Sequence, residues 1–195
     1  TSFSLEFAEY DAIYNANVNV YYALKANGGH KRKGDIGNPW NTHKDDLDPI
    51  RGQLMKNPQM TICSDAVLNR IKHGIPIEET IRACTDMKQF VTVIKSSKGA
   101  TWDDEYLGKV VRYYWAIDGQ PILSAEDNGN GNYNKVPKTD GARECMLLPD
   151  TIPDDLDYDR YIAEARSILE AIGFYGESAE VKMPRVTIKN HKEYL

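Results

Sequence analysis

With 195 residues, 41% of them hydrophobic and 27% charged, the chain can bury the core of one fair-sized domain and is too apolar to be disordered throughout. No apolar run approaches the ~18 residues of a membrane span, and the polar, aromatic opening at Thr1 does not read as a secretory leader. The expectation is a soluble intracellular protein and, since Thr1 is not an initiator methionine, a processed chain or a piece of a longer one. The net charge of -5 gives no general preference for nucleic acid. Its distribution is uneven: residues 150–180 hold nine acids against Arg160 and Arg166, leaving the remainder weakly basic.

In chain order, the first clear signal is NVNVYYALK, where Val18, Val20, Tyr22 and Leu24 alternate as a half-buried strand does. Asn27-Gly28-Gly29 supplies the positive φ angles of a hairpin turn, and His30 to Ile36 forms the returning strand. The segment before it, FSLEFAEYDAIYNA, mixes strand and helix character. From Gly37 to Gln59 periodicity disappears while Gly, Pro, Asn and Asp gather around Trp40, which reads as a connector and a boundary. Ser64 or Asp65 then caps a short helix with Val67, Leu68 and Ile71 as its apolar positions, ended by Gly74. Pro76 opens a second helix carrying Ile77, Ile81 and Cys84 on one face.

Further along, Asp103 or Asp104 reads as the cap of a third helix with an apolar stripe of Tyr106, Leu107, Val110, Val111 and Tyr114, leaving Lys109, Arg112 and Tyr113 on another side. Residues 121–137 read as an extended segment, a turn through Asn128-Gly129-Asn130-Gly131-Asn132, and a return closed by Pro137. The last helix, Asp157 to Ile172, places Tyr161, Ile162, Ala165, Ile168, Leu169 and Ile172 at helical spacing, with acids at its start and Gly173 at its end.

The chemistry legible in single residues is sparse. Cys63, Cys84 and Cys145 lie far apart without a CxxC pair, so they read as reduced thiols in or near the core. His30, His43, His73 and His191 lack partners at ligand spacing. The acid clusters Asp45-Asp46, Asp103-Asp104-Glu105 and Asp154-Asp155 carry the oxygens a hard cation wants, but the latter two read first as helix-cap carboxylates, and no metal site is assigned. The strongest cluster is Lys31-Arg32-Lys33 beside Tyr21 and Tyr22. Its cations suit backbone phosphates and a ring suits sugar or base, although a lysine-rich hairpin also serves as a protected sheet edge.

The order of these pieces resembles the C-terminal part of a family B DNA polymerase, particularly the shorter viral and mobile-element members. VNVYYALKANGGHKRKGDI is similar to the palm hairpin that follows the family's second catalytic aspartate motif. Tyr22 falls where the family sets a tyrosine against the primer-template minor groove, Lys33-Gly34 where the return strand ends, and Val20 where the family has a lysine. NPQMTICSDAVLNRIKHGIPIEETIRACTDMKQF looks like the opening of the thumb. KGATWDDEYLGKVVRYYWAIDGQPI, NKVPKTDGA and LPDTIPDDLDYDRYIAEARSILEAIG resemble its end.

This resemblance implies an α+β chain: an N-terminal palm-like β-hairpin at 1–37, a connector at 38–59, a mainly helical thumb-like region at 60–175 with a small β-hairpin, and a tail at 176–195. It implies a nucleotidyltransferase segment that holds the primer-template duplex during DNA replication and joins the remainder of the polymerase chain. Tyr22, Lys31, Arg32 and Lys33 are expected near the primer end, with Lys95, Lys98, Lys109 and Arg112 on phosphates further along. The family's D-x-x-S-L-Y-P-type and Y-x-D-T-D-type metal strings do not occur here. Magnesium is therefore expected only in the absent catalytic palm, and the segment alone is expected to be inactive. The competing expectation is a stand-alone viral structural or protein-interaction domain that does not bind DNA.

Overall fold

The computed structural model describes residues 10–17, 20–33 and 61–173. The returning strand beyond Lys33, the connector around Trp40 with Asp45-Asp46, and the tail lie outside the described residues. Within them the fold is α+β, with two antiparallel sheets and three α-helices.

The first sheet has the order β1 (Tyr10–Asn17), β2 (Val20–Lys25), β3 (His30–Lys33). The ambiguous segment before the hairpin is thus partly strand β1. Gly28, at φ 83°, turns the chain as the Asn-Gly-Gly string anticipated. The turn is closed by the Lys25 N–H donating to the Gly29 carbonyl at 2.8 Å. Tyr14, Tyr22 and Arg32 are register partners across the three strands and share one face. Tyr14 and Tyr22 are buried, so this is the face turned to the core.

Helix α1 (Ile62–His73) buries Ile62, Ala66 and Val67 and is stopped by Gly74 in the left-handed conformation. It starts earlier than expected, with Thr61 at its N-cap, and the expected caps Ser64 and Asp65 lie inside the helix, where both accept hydrogen bonds from Arg32. Helix α2 (Ile77–Ala83) follows Pro76 and buries Ile77 and Ile81. A 3-10 turn at Met87–Phe90 leads into β4 (Thr92–Trp102).

Residues 103–116 correct the sequence reading: they form no helix. Asp103 and Asp104 adopt φ angles of 47° and 63°. This left-handed pair makes a tight hairpin turn into β5 (Glu105–Trp115), which runs antiparallel to β4. Val111, Arg112, Tyr113, Tyr114 and Trp115 are consecutively buried, so both faces of the strand are covered. The expected hairpin at 121–137 is present as β6 (Leu123–Asp127) and β7 (Tyr133–Lys135), and β8 (Ala142–Glu144) completes the sheet order β7-β6-β4-β5-β8. The region expected to be mainly helical therefore carries a five-stranded sheet.

Helix α3 (Tyr158–Ala171) packs on α1 and α2. Its start is capped by Asp157, whose carboxylate accepts from the Arg160 N–H. Asp154-Asp155 does not cap it: Asp155 instead accepts from the Tyr114 hydroxyl at 2.8 Å and pairs with Arg143 at 3.0 Å. Tyr161, Ile162, Ala165 and Leu169 join one hydrophobic cluster with Tyr22, Ile62, Phe90 and Trp115.

Candidate nucleic-acid interface

The hairpin cations do not all face one way. Antiparallel pairing sets Arg32 opposite Tyr22 and His30 opposite Leu24, on the core-facing side, whereas Lys31 pairs with Ala23 on the other side. Lys33 closes β3 at the register position opposite Tyr21. The Arg32 guanidinium reaches α1, donating to the Ser64 hydroxyl at 3.0 Å and to an Asp65 carboxylate oxygen at 2.6 Å. This half-buried pair fastens the hairpin to the helix.

Fastened in that way at the first turn of α1, the hairpin brings His30 within electrostatic reach of Lys72 in the last turn, which also carries Arg70 and His73. His30 lies within electrostatic reach of Lys25 on β2, Arg32 on β3 and Lys72 on α1, with Asp65 as the opposing charge. Desolvation comes first among the causes that lower the His30 pKa below its usual 6.5, followed by repulsion from Lys72 and Arg32. His30 is exposed, and Lys25 and Lys72 are half-buried. Gathering like charges opposes folding, so such a cluster is a place where an anion is favoured.

The other residues implied by the resemblance are scattered. Tyr22 is fully buried, its ring packed in the core and its hydroxyl pKa raised by burial, so it offers no edge to a groove. Tyr21, half-buried on the opposite face, is the tyrosine that shares a side with Lys31. Arg112 is buried in the middle of β5 rather than exposed on a helix. Lys95 pairs in register with Val110, so the strand alternation puts it and Lys109 on opposite faces, both exposed. Lys98 is exposed and ion-paired with Glu126 at 3.5 Å. These cations do not form one track.

The sequence reading missed Lys25, His30 and Lys72. Their signal was the basic end of a helix stopped by Gly74, but no spacing rule connects residues 70–73 with 25–32 before the fold is known. The cysteines are free, as expected, with Cys63 and Cys145 buried and Cys84 half-buried. Burial pushes the Cys145 thiol up to about 12, which leaves it unreactive at neutral pH. Among the described residues, no three His, Cys, Asp or Glu side chains gather as a metal ion requires, and no helix is long and apolar enough to cross a membrane. No family model, curated protein or solved structure matches the chain.

Proposed function

We propose that the chain grips a primer-template duplex through its phosphates, as a segment of a family B-like DNA polymerase whose metal-binding aspartates belong to other polypeptide. The observation that carries this reading is the gathering of Lys25, His30, Arg32 and Lys72 at the junction of the β2–β3 hairpin with α1. Lys25, His30 and Lys72 contact phosphate oxygens in this reading, and Lys31 and Lys33 extend the basic strand beside them. Arg32 acts as a positioning residue, since its guanidinium is committed to Ser64 and Asp65. Phosphate contacts hold a duplex without selecting its sequence. The order of the sequence strings supports the polymerase assignment.

Fluorescence anisotropy with a labelled primer-template tests it. Each neutralised phosphate contributes about -0.9 to the slope of log affinity against log salt, so the two lysines Lys25 and Lys72 contribute a slope of about -2 at neutral pH. Lys25→Ala with Lys72→Ala should flatten that slope and leave the melting temperature close to that of the parent chain. Absence of binding at low salt, together with a stable homo-oligomer in light scattering, would replace this reading with a protein-interaction domain. With magnesium and nucleotides, the chain alone should extend no primer.

A further inference from the structure

The chain contains three Asn-Gly pairs, Asn27-Gly28, Asn128-Gly129 and Asn130-Gly131, all within exposed turns. Asparagine before glycine is chemically labile because no side chain shields the following peptide nitrogen. Reaction requires that nitrogen to lose its proton and reach the asparagine side-chain carbonyl carbon. A hydrogen bond held by the peptide N–H, or by the side-chain amide, opposes both events.

The three pairs differ in this respect. At Asn27 the Gly28 N–H donates to the Lys25 carbonyl at 3.1 Å, and the Asn27 Oδ1 accepts from the Gly29 N–H at 3.0 Å. At Asn128 the Gly129 N–H donates to Asp127 Oδ1 at 3.0 Å. The Asn128 amide is held at both ends, its Oδ1 accepting from the Asn130 N–H at 3.1 Å and its Nδ2 donating to Asn134 Oδ1 at 3.5 Å. Among the described residues, neither the Asn130 side chain nor the Gly131 N–H makes a hydrogen bond.

We infer that Asn130 is a site of spontaneous deamidation in the folded protein and converts before Asn27 and Asn128. Solvent base removes the Gly131 amide proton, and the nitrogen attacks Asn130 Cγ. The new C–N bond closes a five-membered succinimide, and Nδ2 leaves as ammonia. Water then opens the ring at either carbonyl, giving aspartate or isoaspartate. The net change is one amide and one water to one carboxylate and one ammonium, with no oxidant involved. The added negative charge falls in the β6–β7 turn beside Asp127, away from the hairpin–α1 cluster, so the inference does not rest on duplex binding.

The test is incubation of the intact folded chain at mildly alkaline pH, followed by proteolysis and mass spectrometry with fragmentation that resolves Asn128 from Asn130. The amide-to-acid mass gain should accumulate at Asn130 several-fold faster than at either other site, and in urea the three rates should converge. Asn130→Gln should remove the fast phase while circular dichroism and melting remain unchanged. Equal rates at all three sites in the folded chain, or faster conversion at Asn27 or Asn128, would overturn the inference.

Discussion

The hydroxyl of Tyr161 lies 3.0 Å from the backbone nitrogen of Trp115 and accepts its hydrogen bond, while donating to the Phe90 carbonyl at 2.6 Å. One buried oxygen thus joins α3, the interior strand β5 and the 3-10 turn. Tyr161→Phe keeps the edge-on ring contact with Phe90, at 5.2 Å between centroids, but strands a buried donor and a buried acceptor. Each orphaned group costs about 1–3 kcal/mol, so a loss of about 2–6 kcal/mol is expected in urea unfolding. Tyr161→Leu, which also loses the ring, should cost more.

The Arg32–Asp65 pair separates anchoring from charge. Both side chains are partly exposed, at 27% and 34%, so either single substitution should lower stability by only about 1 kcal/mol. Their effects on duplex affinity should have opposite signs. Arg32→Gln removes a cation and loosens the hairpin, and binding falls. Asp65→Asn removes the opposing carboxylate of the cluster, and binding tightens although the fold is weakened. Anisotropy and thermal melts on both variants check the pair of signs.

His30 links the cluster to pH. Its folded-state pKa lies below the unfolded value near 6.5, so the folded chain carries fewer protons than the unfolded chain between those two values. Stability from this group is therefore complete above about pH 6.5 and is lost as pH falls through that window towards the lowered folded pKa. A bound phosphate opposes the repulsion from Lys25, Arg32 and Lys72, so duplex binding should raise the His30 pKa. Affinity then increases as pH falls below neutrality, and His30→Gln should remove that dependence. Imidazole shifts followed by NMR with and without primer-template read the change directly.

Gly99 has φ +81°, and a Cβ built there would lie 2.7 Å from Cε2 of the Tyr106 ring. The ring is 62% exposed and can swing aside, whereas the left-handed backbone cannot change without disturbing β4. Gly99→Ala should therefore cost about 1–2 kcal/mol from the backbone. Adding Tyr106→Ala should recover less than about 0.5 kcal/mol of it. A double-mutant cycle in urea measures the two contributions.

How much of this was legible depended on whether the signal was local. The Asn27-Gly28-Gly29 turn, the stop at Gly74 and the spacing from Tyr161 to Leu169 each depend on neighbouring residues, and each forms as read. Strand β5 was misread because burial on both faces erases alternation, so Tyr106, Leu107, Val110, Val111 and Tyr114 match a helical stripe equally well. The aromatic and β-branched run Val110 to Trp115 was the stronger cue. Asp103-Asp104 likewise suits a helix cap or a left-handed hairpin turn. Alternation correctly placed Tyr22 on a strand, but it does not say which face meets the core. The partners that gather around His30 come from separate segments and were invisible until α1 was seen against the hairpin.

The position of β5 has a consequence during synthesis. Its hydrogen-bonding edge is completed by β8, and its last residues are held by Tyr161, so the strand is finished only when more than forty further residues have left the ribosome. Until then, a nascent chain displays a β-branched and aromatic ribbon from Val110 to Trp115, interrupted only by Arg112, with one side open to pairing with another copy. A truncation ending near Gly141 should therefore form inclusion bodies, while the chain extended through α3 remains dispersed.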